Sequence, residues 1–172
     1  MAVNVSARQL SGGALVQHVT EALAVSGLPA SSLVLEVTET ALVPDPDSAA
    51  ERLCELRALG VRLALDDFGT GYSSLSYLRQ FPVDVLKIDR SFVGLLDGPD
   101  DDAAIVHGLV QLGRRLRLEV VAEGVETTAQ RDRLRAEQCD LAQGYLFAAP
   151  LEAAEAELLL LGRVRPSTPS GV

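Results

Sequence analysis

Short runs rich in Val, Leu and Ile recur along the chain at Val3–Ser6, Leu33–Thr38, Val61–Asp66, Val83–Asp89, Leu118–Glu123 and Leu141–Leu146. Each is bounded by polar or turn-forming residues and is too short for a stable helix, so each reads as a buried strand. Between them, apolar positions return at helical spacing over roughly Gly13–Ser26, Ser48–Leu59, Asp101–Arg115 and Glu126–Glu137, several behind a residue suited to cap a helix. The resulting alternation, strand then helix in six units, predicts a parallel sheet covered by helices. A doubly wound sheet and a (β/α) barrel both satisfy it.

Composition narrows the class. At 172 residues the chain is the length of one compact domain, since a domain of about 150 residues buries roughly two-thirds of the surface of its unfolded chain. Residues 1–162 are expected to form that domain. The Pro- and Ser-containing tail Arg163–Val172 is expected to be disordered. Hydrophobic residues make up 48% of the sequence, yet no apolar run approaches the length of a membrane span. Met1 leads straight into a strand-like stretch, so a cytoplasmic location is the default expectation and no membrane partner is foreseen. A net charge of -9 opposes broad binding to duplex nucleic acid. Cys54 and Cys139 stand alone, without the paired spacing of a zinc site, and read as reduced thiols.

The placement of polar groups points to chemistry. Asn4, Glu36, Asp66 with Asp67, Lys87, Glu123 and Gln143 each fall at or just past the end of a predicted strand, one group per unit. In a parallel barrel these ends converge on one face, where active sites form. A single acid at such a position can simply cap the next helix or pair with an arginine. Several converging acids carry a larger desolvation cost unless cations neutralise them. Asn4, Glu36, Asp66 and Asp67 offer only oxygen ligands, the donor set of Mg²⁺ or Mn²⁺. The adjacent carboxylates Asp66 and Asp67 suit two ions a few ångströms apart, as in-line phosphoryl displacement often uses, so metal-assisted phosphodiester hydrolysis is the reaction suggested. His18 and His107 lie inside predicted helices and read as surface or packing residues.

Lys87 is the chain's single lysine; the other fourteen of its fifteen basic residues are arginines. An amine can lose its proton when desolvated, which a guanidinium does poorly, or sit as a compact point charge beside phosphate and water. In Asp66-Asp67-Phe68-Gly69-Thr70-Gly71-Tyr72-Ser73-Ser74, two glycines follow the acidic pair and permit a tight turn with close backbone approach.

Taken in order, Val3-Asn4-Val5-Ser6-Ala7-Arg8-Gln9-Leu10, Leu35-Glu36-Val37-Thr38-Glu39-Thr40, the nonapeptide above, Leu86-Lys87-Ile88-Asp89-Arg90-Ser91-Phe92, Val121-Ala122-Glu123-Gly124-Val125-Glu126-Thr127 and Gln143-Gly144-Tyr145-Leu146-Phe147 resemble successive motifs of the EAL family of cyclic di-GMP phosphodiesterases. The resemblance runs from about Ala2 to Leu151. It implies a modified (β/α) barrel that hydrolyses cyclic di-GMP to the linear dinucleotide with two Mg²⁺ or Mn²⁺ ions, commonly as a homodimer. It further implies that Asn4, Glu36 and Asp66 ligate one ion and Asp66 with Asp67 the other. Glu123 would bind metal or act as general base, and Lys87 would position the attacking water. Glu39 would support the loop Phe68-Gly69-Thr70-Gly71, while Glu126 and Gln143 would complete the pocket by hydrogen bonding.

The sequence also departs from the family pattern. The strand bearing the Glu-Ala-Leu motif is expected ahead of Met1, and the Glu21-Ala22-Leu23 present here falls in a predicted helix, where Glu21 should face away from the site. Gln138 and Ala149 replace a usual glycine and a frequent basic residue. An incomplete barrel of six βα units is therefore expected, with a ligand to the first ion missing and weak or absent catalysis in isolation. Two functions stay open: a metal-dependent phosphodiesterase, with the missing piece or sensory domains on another chain, or a non-catalytic module binding cyclic di-GMP or a protein partner.

Overall fold

The computed structural model describes residues 1–70, 78, 80–98 and 100–162. Gly71 of the glycine loop and the Arg163–Val172 tail lie outside the described residues. The chain alternates β1 (Ala2–Val5), α1 (Ala7–Ser11), α2 (Leu15–Ser26), β2 (Val34–Thr38), α3 (Glu39–Leu42), α4 (Pro46–Ala58), β3 (Arg62–Phe68), β4 (Val85–Ile88), α5 (Arg90–Gly94), α6 (Asp100–Arg115), β5 (Glu119–Ala122), α7 (Thr128–Ala136), β6 (Leu141–Ala142) and α8 (Ala153–Leu160). All five strand pairings are parallel, and the spatial order is β1-β2-β3-β4-β5-β6.

That order decides between the two architectures. A doubly wound sheet reverses direction and places helices on both faces, whereas here every crossover steps to the next position. With right-handed crossovers, all covering helices then fall on one face. Burial agrees: Val37, Leu65, Leu86 and Val120 share a register row and are at most 2% exposed. They pack beneath the helices with Leu53 and Leu56 of α4 and Val106 and Val110 of α6, all fully buried. The alternate row, which includes Asn4, Glu36, Ala64 and Val85, faces the concave side. The sheet is thus part of a barrel wall, and in the described residues β1 and β6 form its two open edges.

Local signals explain the helix starts. The Asp45 side chain accepts from Ser48 N at 3.2 Å and Pro46 occupies the first turn of α4. Thr127 and Gln130 form a reciprocal capping box on α7. The sixth strand is shorter than its apolar run predicts and ends at Ala142. There Val125 N donates to Gln143 O, and Gly144 approaches Val125 so closely that a Cβ would lie 2.3 Å from its backbone nitrogen. The chain turns through Gly144–Phe147, where Phe147 N donates to Gly144 O, instead of extending the ladder. No described helix is long and apolar enough to cross a membrane.

Candidate active site

Lys87 organises the concave face. It projects from the middle of β4, whose four residues are all buried, and its Nζ lies 2.7 Å from Glu123 Oε1, 2.8 Å from Asp66 Oδ1 and 3.0 Å from Glu36 Oε2. Strands β2 and β3 and the residue just past β5 thereby each deliver a carboxylate to one amine on β4. Burial alone would pull the amine's pKa down, but hydrogen bonds to Asp66, Glu123 and Glu36 overcome it and hold the pKa above the ordinary lysine value.

Asp67 reaches the same place by a backbone irregularity. Leu65 pairs with Leu86 and Phe68 with Ile88, so Asp66 and Asp67 together oppose Lys87 across a β-bulge. Asp67 takes φ +54°, a left-handed conformation uncommon for a residue with a side chain, and its N–H donates to Asp66 Oδ1 at 3.1 Å. One carboxylate oxygen each from Asp66, Asp67 and Glu123 lie within 4.8 Å of one another. Burial, then the charges of Asp66 and Asp89, raise the pKa of Asp67 against the opposing pull of Lys87. Burial also raises that of Glu123, with Lys87 opposing and Asp66 and Glu36 adding to the rise. These are acids whose negative charges crowd together, and the all-oxygen donor set fits a hard divalent cation.

The supporting residues are equally definite. Gln143 Nε2 donates to Glu123 Oε1 at 2.6 Å. Glu39 is 2% exposed at the start of α3, and its Oε2 accepts from Gly69 N at 3.0 Å. Gly69 has φ +95°, and a Cβ there would meet the Phe92 ring at 2.9 Å, so the turn after Asp67 is closed from both sides and admits only glycine without strain. Phe68 is buried, and Thr70 Oγ1 donates to Asp67 O at 2.8 Å. Asn4 lies exposed on edge strand β1 and is the register partner of Glu36. Glu126 lines a cleft of about 660 Å³ beside Asp67 and Glu123, and its backbone N–H donates to Gln130 Oε1.

That cleft names residues the sequence reading passed over. Asp89, Arg90 and Tyr145 line it together with Gly124 and Gly144. Asp89 caps α5 by accepting from Ser91 N at 3.0 Å, and although burial pushes its pKa up, hydrogen bonds from Ser91 and Arg90 hold it below the usual carboxylate value. A cap position two residues after Lys87 on a strand that ends at the site was the available signal. Glu21, in contrast, is exposed on α2 and accepts from Gln17 Nε2, remote from the concave face. His18 is exposed on α2, and His107 pairs with Glu137 on the surface.

Comparison with known proteins identifies the family of the chain. The family model described as "EAL domain" matches residues 1–150. The cyclic di-GMP phosphodiesterase NbdA of Pseudomonas aeruginosa is 48% identical over 160 residues, 93% of this chain and 20% of its own length. The chain thus spans about a fifth of such curated relatives. Among solved structures, the MucR phosphodiesterase of Pseudomonas aeruginosa in complex with c-di-GMP superposes with a TM-score of 0.86 at 48% identity, covering 90% of this chain and 63% of that one. BlrP1 of Klebsiella pneumoniae in a manganese and c-di-GMP complex gives 0.79 at 35% identity, covering 87% and 38%. With its parallel wall of strands, its bulged acidic pair and this match along its length, the chain belongs to the EAL domain family.

Proposed function

We propose that this chain carries the catalytic groups of a phosphodiesterase that hydrolyses cyclic di-GMP to the linear dinucleotide with bound divalent cations. The observation that carries the reading is the convergence of Glu36, Asp66 and Glu123 on one buried lysine, with Asp67 alongside and an open cleft at their rim. Asn4, Glu36 and Asp66 would hold one Mg²⁺ or Mn²⁺ ion, and Asp66, Asp67 and Glu123 a second. When bound, such ions supply positive charge to the phosphodiester and acidify water beside it. Lys87 donates an N–H to orient the attacking water, and Glu123, fixed by Gln143, accepts its proton or shares in ligation. Water oxygen bonds to phosphorus, the ester P–O bond breaks, and the leaving oxygen takes up a proton. Glu39 holds the Gly69 turn and so keeps Asp67 in its bulged conformation.

The substrate assignment is supported by relatives whose names and complexes specify cyclic di-GMP. One observation favours a binding module instead: the three N–H groups of Lys87 all face carboxylates, of Glu36, Asp66 and Glu123, and none faces a position for water. A turnover assay with cyclic di-GMP and excess Mn²⁺ or Mg²⁺, with products separated by chromatography, distinguishes them. Linear product that disappears with EDTA and falls about a thousandfold or more in Asp66→Asn is expected for the hydrolase, since metal catalysis supplies several kcal/mol. Ligand binding by calorimetry without product would move the reading to the binding module. Full activity in Asp66→Asn would overturn the metal assignment.

A further inference from the structure

The donor capacity of Lys87 is fully committed. An ammonium has three N–H donors, and Lys87 Nζ faces three carboxylate oxygens, Glu123 Oε1, Asp66 Oδ1 and Glu36 Oε2, at 2.7, 2.8 and 3.0 Å. Glu36, Asp66 and Glu123 are also members of the proposed cation ligand set. Each carboxylate keeps lone pairs that the ammonium does not use, so the conflict is one of charge: a divalent ion beside any of these oxygens stands against the amine's positive charge. The water-orienting role has its own requirement, an N–H not already spent on a carboxylate. Three persisting ion pairs oppose the ion through charge and leave no N–H for the water.

We propose that Lys87 is an internal counter-cation that competes with the divalent ion for Glu36, Asp66 and Glu123, and that ion binding releases at least one Lys87 N–H for the attacking water. The inference deepens the metal-dependent reading above and rests on it. It ties the availability of the amine to metal loading: until the carboxylates are taken over, the lysine is held away from water, and the acids are kept from repelling one another. Lysine suits such an exchange because its compact ammonium rotates freely on a flexible stem, whereas a guanidinium is bound to a planar fork.

Because Lys87 is the only lysine, protein labelled with ¹³Cε-lysine yields one lysine Cε signal in an NMR spectrum. The test follows that signal through a Mg²⁺ titration, with Mg²⁺ binding measured in parallel by calorimetry on the wild type and on Lys87→Met. The lysine signal is expected to move in step with binding. Lys87→Met, which keeps a stem of similar length without the charge, is expected to bind Mg²⁺ about tenfold or more tightly. It should also melt ~10 °C below the wild type in EDTA, because buried carboxylates lose their counter-charge, and recover with Mg²⁺. Saturable Mg²⁺ binding with an unmoved lysine signal and equal affinity in Lys87→Met would overturn the competition while leaving the metal site standing. Absence of Mg²⁺ binding in both proteins would remove the metal reading and this proposal with it. If Lys87→Met does not fold, the wild-type signal measured against wild-type binding decides alone.

Discussion

At the C-terminal rim of the sheet, Glu36, Asp66 and Glu123 turn toward one amine and toward each other. At the N-terminal floor, acids of the same type are spent differently. Asp84, just ahead of β4, accepts from Leu63 N at 3.0 Å and from Arg57 at 3.1 Å, and Asp140, just ahead of β6, accepts from Val120 N at 3.0 Å. Arg62 and Glu119 pair at 3.2 Å on the same floor, each about a third exposed. A carboxylate that satisfies a backbone N–H or meets a solvated arginine has its charge already compensated. The rim acids also accept hydrogen bonds, Asp66 from Asp67 N and Glu123 from Gln143, but three of them share a single cation and so retain a net demand for positive charge. What separates the two sets of acids is therefore how much positive charge each has beside it.

Matched substitutions would break that distinction if it is wrong. Asp66→Asn is expected to weaken Mn²⁺ binding about a hundredfold or more, beyond the 10–100-fold typical of losing a residue that merely supports a ligand, with little change in urea stability. Asp140→Ala should do the reverse. It leaves the buried Val120 N–H without its acceptor and is expected to cost ~1–3 kcal/mol of stability, with Mn²⁺ affinity unchanged by calorimetry. Equal metal loss in both variants would mean that rim and floor are one electrostatic unit.

Much of this contrast was legible in the sequence. The strand runs and helix periods placed the six units, and the polar residues at strand ends marked the rim, because both depend on local pattern. Whether the sheet was doubly wound depended on strand order, which no local pattern encodes. Glu36, Asp66 and Lys87 follow the alternation of their strands, so their convergence was foreseeable. Asp67 does not: strict alternation sends it to the helix-covered face, and only the bulge with its positive φ brings it back. A signal for this existed in the spacing of Leu63, Leu65 and Phe68, where the last buried apolar residue arrives one position late. Asp89 was passed over because a capping aspartate has a sufficient local explanation, and its place in the cleft needs the β5 and β6 turns beside it. The short sixth strand was missed because Leu141–Leu146 is apolar on both sides of Gln143-Gly144, while its end is set by a backbone contact with Val125.

The floor's second test concerns a thiol. Cys139 is half-buried next to Asp140, with its Sγ donating toward Leu141 O at 3.4 Å, while Cys54 is exposed on α4. Burial pushes the Cys139 pKa above the ordinary thiol value of 9.0, and the backbone hydrogen bonds offset only part of the rise. The neutral thiol is therefore the form the fold favours, and a folded-state pKa above the unfolded one means that this contribution is lost as pH climbs past that value. Alkylation by iodoacetamide at pH 8, followed by mass spectrometry, should modify Cys54 about tenfold faster than Cys139. Similar rates would show that the floor opens readily and that Asp140 does not hold it closed.

The smallest effect is expected at Arg62. Its guanidinium reaches past Val85 to Glu119, joining β3 to β5 across β4, and on paper this resembles the way Lys87 ties the same strands at the rim. Exposure separates them: the Lys87 side chain is 6% accessible, whereas those of Arg62 and Glu119 are 36% and 35% accessible. Water competes for the floor pair and salt screens it, so Arg62→Ala should cost no more than ~1 kcal/mol in urea unfolding. Most of that difference should disappear in about 1 M NaCl, where screening acts over roughly 3 Å. The Arg62 backbone N–H still donates to Leu33 O at 2.9 Å in the variant, so the ladder itself is untouched. A loss of more than about 2 kcal/mol that survives high salt would exceed what an exposed pair can supply. The floor would then have to be regarded as a second place where charge, and not only packing, holds the open sheet in its curvature.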